Sequence, residues 1–429
     1  MDFKKRLTDR KWILLVLALF WALLLVTKRS LYASAGLIVF WIVVLVCSFA
    51  AALLLNGMTE KDFLILACLL GIFFLVVAPF PCIIDEDYHF SRAYALSQGN
   101  PFPVWDNGTI GIAVPEGFER YADSGEWNLI NVWNARELWL SSSSGLEFLA
   151  RTRSASYLPV DYIFSAAGIW IATLLKLPLL FVVLFGRLFN YAAFTGIAYL
   201  AIKKAKYYKS LFFLVATIPC ALYGAATISI DASLIAGALL FVSITLNYCL
   251  EKKDRIETID IFLLIVAEIL VLSAKYLGYF LIIPFFLFVG KKKPKNYSTV
   301  MILLGIVLAL ITAWQIISVV RFSGSLDADA AFDDVSISGQ LAWIFANKGE
   351  FLRILLHDFV ESMPKRIYAC SYSEEPAFSF ISLPLRFLPI IAAARARDKY
   401  PLELKQGRAF LAYWLIASAV MMLICNFTV

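Results

Sequence analysis

The sequence predicts an all-α, polytopic membrane protein, and three observations carry that prediction. Of its 429 residues, 61% are hydrophobic and only 16% charged, against about 25% charged in an ordinary soluble domain. Mean hydropathy is +0.78. Apolar runs near the length that takes a helix across a ~30 Å hydrocarbon core recur along the chain. The net charge of +6 gathers in short basic clusters between those runs. That is a topology signal, and no nucleic-acid partner is expected from it.

The elements follow in order. The run 12–27 comes after "MDFKKRLTDRK", and "ASA" at 33–35 resembles a cleavage site. Lys28 and Arg29 interrupt the apolar character before that point and it resumes over 31–55, so a retained anchor is expected rather than a cleaved leader. Residues 1–62 are therefore read as an N-terminal membrane hairpin. A membrane core is expected over 63–320, with runs at 63–80, 179–202, 211–230, 232–250, 258–274, 277–289 and 298–320, and with an outer loop at 81–158. A second outer loop is expected at 321–378. Runs at 379–394 and 409–428 make 379–429 a C-terminal helical region. The total is about eleven crossings.

The stretch 159–176, "PVDYIFSAAGIWIATLLK", decides the topology. With the N-terminus in the cytoplasm, a non-crossing 159–176 puts the clusters 203–209, 252–255, 291–295 and 395–408 inside, sixteen basic residues in all. A crossing 159–176 puts all sixteen outside and leaves six inside: Lys275, Arg321, Lys348, Arg353, Lys365 and Arg366. The positive-inside rule selects the first arrangement, so 159–176 is expected to be re-entrant or interfacial. Lys28 and Arg29 remain on the outer side against the rule. The seven cysteines show no metal-ligand spacing; Cys82 and Cys370 both fall in predicted outer loops, which would allow a disulfide. No internal repeat is visible, which disfavours an inverted-repeat transporter.

The ionisable chemistry concentrates in "PFPCIIDEDYHFSRAY" at 79–94. On a helix Asp85, His89 and Arg92, spaced i, i+4, i+7, share a face, while Phe90 and Tyr94 lie off it and are placed on the membrane surface. Two readings stand side by side. An acidic triplet suits a helix N-terminus; equally, adjacent carboxylates at the outer end of a span can act as a general base or hold a divalent cation. Asp85 is the first choice for base and Glu86 the second. Both are also the candidate ligands for Mg²⁺ or Mn²⁺. Arg187, Asp231, Lys275 and Tyr276 are expected at the same outer level, and Asp161 and Tyr162 line the re-entrant stretch. Glu268 is seven residues before Lys275 and deeper; an interhelical hydrogen bond is expected for it. His357 reads as an ordinary helix position. A Lys275/Arg187 pair beside carboxylates suits a lipid phosphate, and a carboxylate that accepts a proton from an incoming hydroxyl completes a glycosyl transfer from a polyprenyl-phosphate sugar.

"DEDYHFSRAYALSQGN" resembles the signature of the domain of unknown function 2142 family of predicted bacterial membrane proteins, itself similar to multi-spanning glycosyltransferases of the GT-C fold. The resemblance continues through "YLPVDYIFSAAG", "GRLFN", "ISIDAS" and "AKYLGY", over roughly 63–290. It implies acidic positions at Asp85 and Glu86, followed by His89 and Arg92. It further implies the re-entrant tyrosine and proline at Tyr157 and Pro159, and later polar positions at Arg187, Asn190, Asp231 and Lys275. Two departures stand out: "PCIID" replaces a double proline before the acid, and a later Gly-Arg-Tyr motif is not met before "ICNFTV", so a shortened C-terminal part is expected.

The expected function is therefore an inverting glycosyltransferase of the cell membrane. It would move a sugar from a polyprenyl-phosphate donor to a surface glycan or lipid-linked acceptor on the outer face. The substrate-binding set is His89, Arg92, Tyr157, Tyr162, Arg187, Asn190, Asp231, Lys275 and Tyr276. The rivals are a flippase or transporter of lipid-linked glycans and a surface polysaccharide polymerase or ligase.

Overall fold

The computed structural model describes residues 59–78, 80–81, 85–102, 104–106, 109–123, 145–150, 157–251, 253–275, 278–289, 294–326 and 337–357, with scattered helical positions inside 11–53 and 409–413. The expected runs 12–27, 31–55 and 409–428 are described only at such positions. The run 379–394, Cys82, Cys370, Lys28 and Arg29 lie outside the described residues.

Helix α1 (Glu60–Val77) starts at a capping box: Thr59 Oγ1 accepts the Asp62 N–H at 3.2 Å, and Asp62 Oδ2 accepts the Thr59 N–H at 3.0 Å. Pro79 and Pro81 follow its end, where neither could continue the helix. Helix α2 (Glu86–Ser97) opens the long loop. That loop is not all helix. It carries a small antiparallel sheet of order β1-β2-β3, with β1 (Val104–Asp106), β2 (Thr109–Pro115) and β3 (Leu146–Ala150), and a short helix α3 (Phe118–Asp123). The all-α expectation is corrected here. The register pairs Ile112 with Leu149 and Val114 with Glu147, and the alternate residues Ile112 and Val114 are buried, as a half-buried strand requires. They cover Phe90, which stacks on Phe118 at 4.8 Å. Phe90 and Tyr94 are thus buried beneath the sheet rather than resting on a membrane surface.

The stretch 159–176 is a 3₁₀ turn (Pro159–Tyr162) and helix α4 (Ile163–Leu174) of twelve residues. At 1.5 Å per residue this helix is about 18 Å long, short of a ~30 Å core. It packs on α5 (Leu179–Lys204). A side chain on Gly168 would overlap the Phe185 carbonyl, so glycine permits that close approach. The run 211–230, expected as one span, is two helices, α6 (Lys209–Thr217) and α7 (Pro219–Ala225). Pro219 has no N–H to donate and drives Ile218 to an extended ψ of 129°. Helices α8 (Asp231–Leu250) and α9 (Thr258–Ala274) match their runs. The expected run 277–289 is described from 278 onward, as α10 (Tyr279–Pro284) followed by a π turn (Phe285–Val289); Pro284 removes a hydrogen-bond donor there. Helix α11 (Tyr297–Leu326) is followed by α12 (Ile337–Ala346) and α13 (Lys348–His357).

Among the described residues three helices are long and apolar enough to cross a membrane: α5, α8 and, over Tyr297–Ser318, α11. Helix α8 packs between α5 and α9. One end of this bundle is tied by ion pairs, Lys204–Asp260 at 2.5 Å, Lys206–Glu251 at 2.8 Å and Lys209–Glu60 at 2.7 Å. The opposite end meets α2, the sheet and α4, and there a second buried apolar cluster joins Phe80, Phe90 and Phe118 to Val183, Ile228 and Ala274.

Candidate functional site

Between these two layers the sequence-distant ionisable groups come together. Glu86, the first residue of α2, is fully buried. Its Oε1 accepts from Arg187 Nε at 2.7 Å and from the Ile228 N–H at 3.0 Å; its Oε2 accepts from Arg187 Nη2 at 2.6 Å. Arg187 Nη1 donates to the Ala78 carbonyl at 2.9 Å. One bidentate pair therefore joins the end of α1, the start of α2, the N-terminal part of α5 and the 226–230 turn. Asn190, one helical turn beyond Arg187, holds the same turn by donating to the Thr227 carbonyl at 2.7 Å and the Ser229 carbonyl at 3.3 Å.

The 226–230 turn delivers Asp231 to the N-terminus of α8, where a carboxylate is favoured. Asp231 Oδ1 is 2.7 Å from Lys275 Nζ, and both side chains are nearly half exposed. Lys275 caps the C-terminal end of α9. Partial burial acts to lower the Lys275 pKa, but the charge and hydrogen bond of Asp231, with Tyr157 and Asp85 acting the same way, outweigh it and the pKa is raised.

Asp85 precedes α2 with its side chain 59% exposed. It makes no capping hydrogen bond, so the capping explanation of the acidic triplet does not account for it. His89 is buried, with Nε2 3.7 Å from Asp85 Oδ2 and Nδ1 2.7 Å from the Tyr162 hydroxyl. Burial lowers its pKa, against the opposing charges of Asp85 and Asp231; Lys275 and Glu86 also act on it. Asp85, Glu86, Asp231 and Lys275 thus share one electrostatic neighbourhood, and Arg187 touches one of its members.

The remaining candidates frame this centre. Arg92 is buried and donates from Nη2 to the Pro101 carbonyl at 2.5 Å and the Tyr157 carbonyl at 3.3 Å. It holds the loop on both sides of the sheet against α2. Asp161 Oδ1 accepts from Ser273 Oγ at 2.8 Å. Burial drives the Asp161 carboxyl well above the usual carboxylate range, with Ser273 acting the other way. Tyr157 is half-buried beside His89, ring centroids 5.7 Å apart. Tyr276 lies outside the described residues. Sequence reasoning missed Ser273 and the Ile228 N–H. Ser273 stands two residues before Lys275, immediately ahead of the motif "AKYLGY"; a backbone donor leaves no signal. The interhelical hydrogen bond expected of Glu268 is not met among the described residues: Glu268 is fully buried, and there neither carboxyl oxygen has a hydrogen-bond partner.

The donor set does not fit a divalent cation at Asp85 and Glu86. Both Glu86 oxygens are engaged by Arg187, and among the described residues no group of three His, Cys, Asp or Glu side chains converges. What the arrangement offers is an accessible carboxylate, an accessible ammonium, and a buried ion pair beneath them.

No curated protein and no solved structure matches the chain. The family model described as "Predicted membrane protein (DUF2142)" matches residues 68–425, the greater part of the sequence and the whole of the site. With its apolar helices and this extended match, the chain belongs to the DUF2142 family of predicted membrane proteins.

Proposed function

We propose that this protein is a membrane glycosyltransferase of GT-C type, with about eleven crossings. It moves a sugar from a polyprenyl-phosphate carrier to a surface glycan or lipid-linked acceptor on the outer face of the cell membrane. The observation that carries the reading is the pairing of function with exposure. Asp85 is the more exposed of two accessible acids and Lys275 an accessible cation at one end of an apolar bundle, while Glu86 and Arg187 are buried against each other.

In the proposed reaction an acceptor hydroxyl oxygen bonds to the anomeric carbon as the bond from that carbon to the phosphate oxygen breaks, inverting the centre. Asp85 takes the hydroxyl proton. Lys275, held by Asp231, stabilises the charge growing on the departing polyprenyl phosphate. Glu86 and Arg187 set the geometry without meeting the substrate. Products of this kind include decorated teichoic acids and capsular polysaccharides.

The test is release of undecaprenyl phosphate from undecaprenyl-phosphate-linked sugars by the protein in lipid vesicles supplied with cell-surface glycan as acceptor. Absence of release with hexosyl and pentosyl donors would refute transfer. Movement of the intact lipid across the vesicle bilayer would instead favour a flippase, a reading supported by Glu268 within α9, which is buried and has no hydrogen-bond partner among the described residues. Lys275→Gln is expected to weaken binding of undecaprenyl phosphate about 10- to 100-fold, the worth of a charged hydrogen bond, read as loss of ligand-induced thermal stabilisation. For topology, Gln98 is exposed just past α2. A cysteine in its place should react in whole cells with a membrane-impermeant maleimide; labelling only after lysis would move the site to the cytoplasm.

A further inference from the structure

His89 is one of two histidines in the chain, and its surroundings select one tautomer. The Tyr162 side chain is 1% exposed and its hydroxyl meets His89 Nδ1 at 2.7 Å. Suppose first that Nδ1 carried the ring proton. The Tyr162 proton would then have no acceptor among the described residues, and the Nε2 lone pair would face the Asp85 carboxylate. Suppose instead that Tyr162 donates to Nδ1. Nε2 then carries the proton and turns it toward Asp85 Oδ2, 3.7 Å away. An unsatisfied buried donor is costly, so the second arrangement prevails. The rings of Tyr157 and Tyr162 lie tilted beside the imidazole, with centroids 5.7 and 5.8 Å away.

Asp85 is exposed and lacks a capping bond, so its own backbone position does not orient the carboxylate. We propose that His89 is a positioning residue: oriented by Tyr162, it presents the Nε2–H to Asp85 Oδ2 and leaves the other carboxylate oxygen for the acceptor hydroxyl. This role rests on the glycosyl-transfer reading above. The 3.7 Å approach is longer than a hydrogen bond, and the contact shortens when substrate closes over Asp85, as catalytic contacts do. The ring itself gives up and gains no proton.

Two measurements test it. The first needs no substrate. In full-length protein carrying His357→Gln, nitrogen NMR of labelled histidine should show a neutral ring protonated on Nε2. Tyr162→Phe should redistribute the tautomers, and Asp85→Asn should shift the Nε2 resonance. A proton on Nδ1, or an Nε2 signal indifferent to Asp85→Asn, overturns the proposal. The second follows undecaprenyl phosphate release. His89→Gln keeps an N–H donor near the Nε2 position and should retain most turnover. His89→Phe keeps the ring shape alone and should lower kcat about 10- to 100-fold with KM unchanged, the usual effect of removing an orienting partner. Equal losses in the two variants, at equal melting temperatures, overturn the proposal. A parent protein that turns over no polyprenyl-linked sugar speaks against glycosyl transfer, while the NMR arm still decides the His89 geometry.

Discussion

Replacing Asp85 by Asn is expected to abolish sugar transfer and leave the fold untouched. The two effects separate because of where the side chain sits. It is 59% exposed and makes no capping hydrogen bond, and Asn keeps an oxygen to face the buried His89 Nε2–H, so the replacement should change stability by about 0.5 kcal/mol or less, as surface replacements do. As a general base it would contribute about 10²- to 10⁴-fold to the rate. The measurement is undecaprenyl phosphate release by purified variant and parent, with melting temperature as the control for folding. An Asp85→Asn protein that still turns over would remove Asp85 from the chemistry.

Arg187→Ala is expected to do the reverse, acting on stability before chemistry. It strands the Glu86 carboxylate in a fully buried position and leaves the Ala78 carbonyl without its donor. Breaking a buried pair from one side costs about 3–5 kcal/mol. Because the pair ties α1, α2, α5 and the 226–230 turn, the damage should reach the Asp231–Lys275 contact as well. Lysine is no substitute, since it cannot make the two parallel contacts to Glu86. Removing both charges together, as in Glu86→Leu with Arg187→Met, should recover part of the loss. Thermal or denaturant unfolding in detergent reads all three variants. An Arg187→Ala protein as stable as the parent would show that the pair does not join these elements.

The helical framework was legible because hydrophobicity and helical length are local properties. Runs 179–202, 232–250 and 258–274 recur as α5, α8 and α9 within two residues. The break at Pro219 was just as local, written as a single residue inside the apolar run 211–230, and only the reading of that run as one span concealed it. The sheet was less legible. Val104–Asp106 and Thr109–Pro115 are short, and the third strand comes thirty residues later, so its pairing depends on closing a long loop rather than on neighbouring residues.

The same division runs through the site. By its own pattern the sequence determined that Asp85, Glu86, Arg187, Asp231 and Lys275 all stand near helix ends or interrupt apolar runs, because a charge there contrasts with everything around it. Only the tertiary structure decided their roles. Glu86 and Asp85 are adjacent in sequence, yet one is sealed against Arg187, 101 positions away, and the other faces outward beside His89. A helix's first residue and the one before it point in different directions, and what each direction meets is set by the packing of distant helices: that is why two neighbouring carboxylates, equivalent as letters, became one structural anchor and one accessible acid.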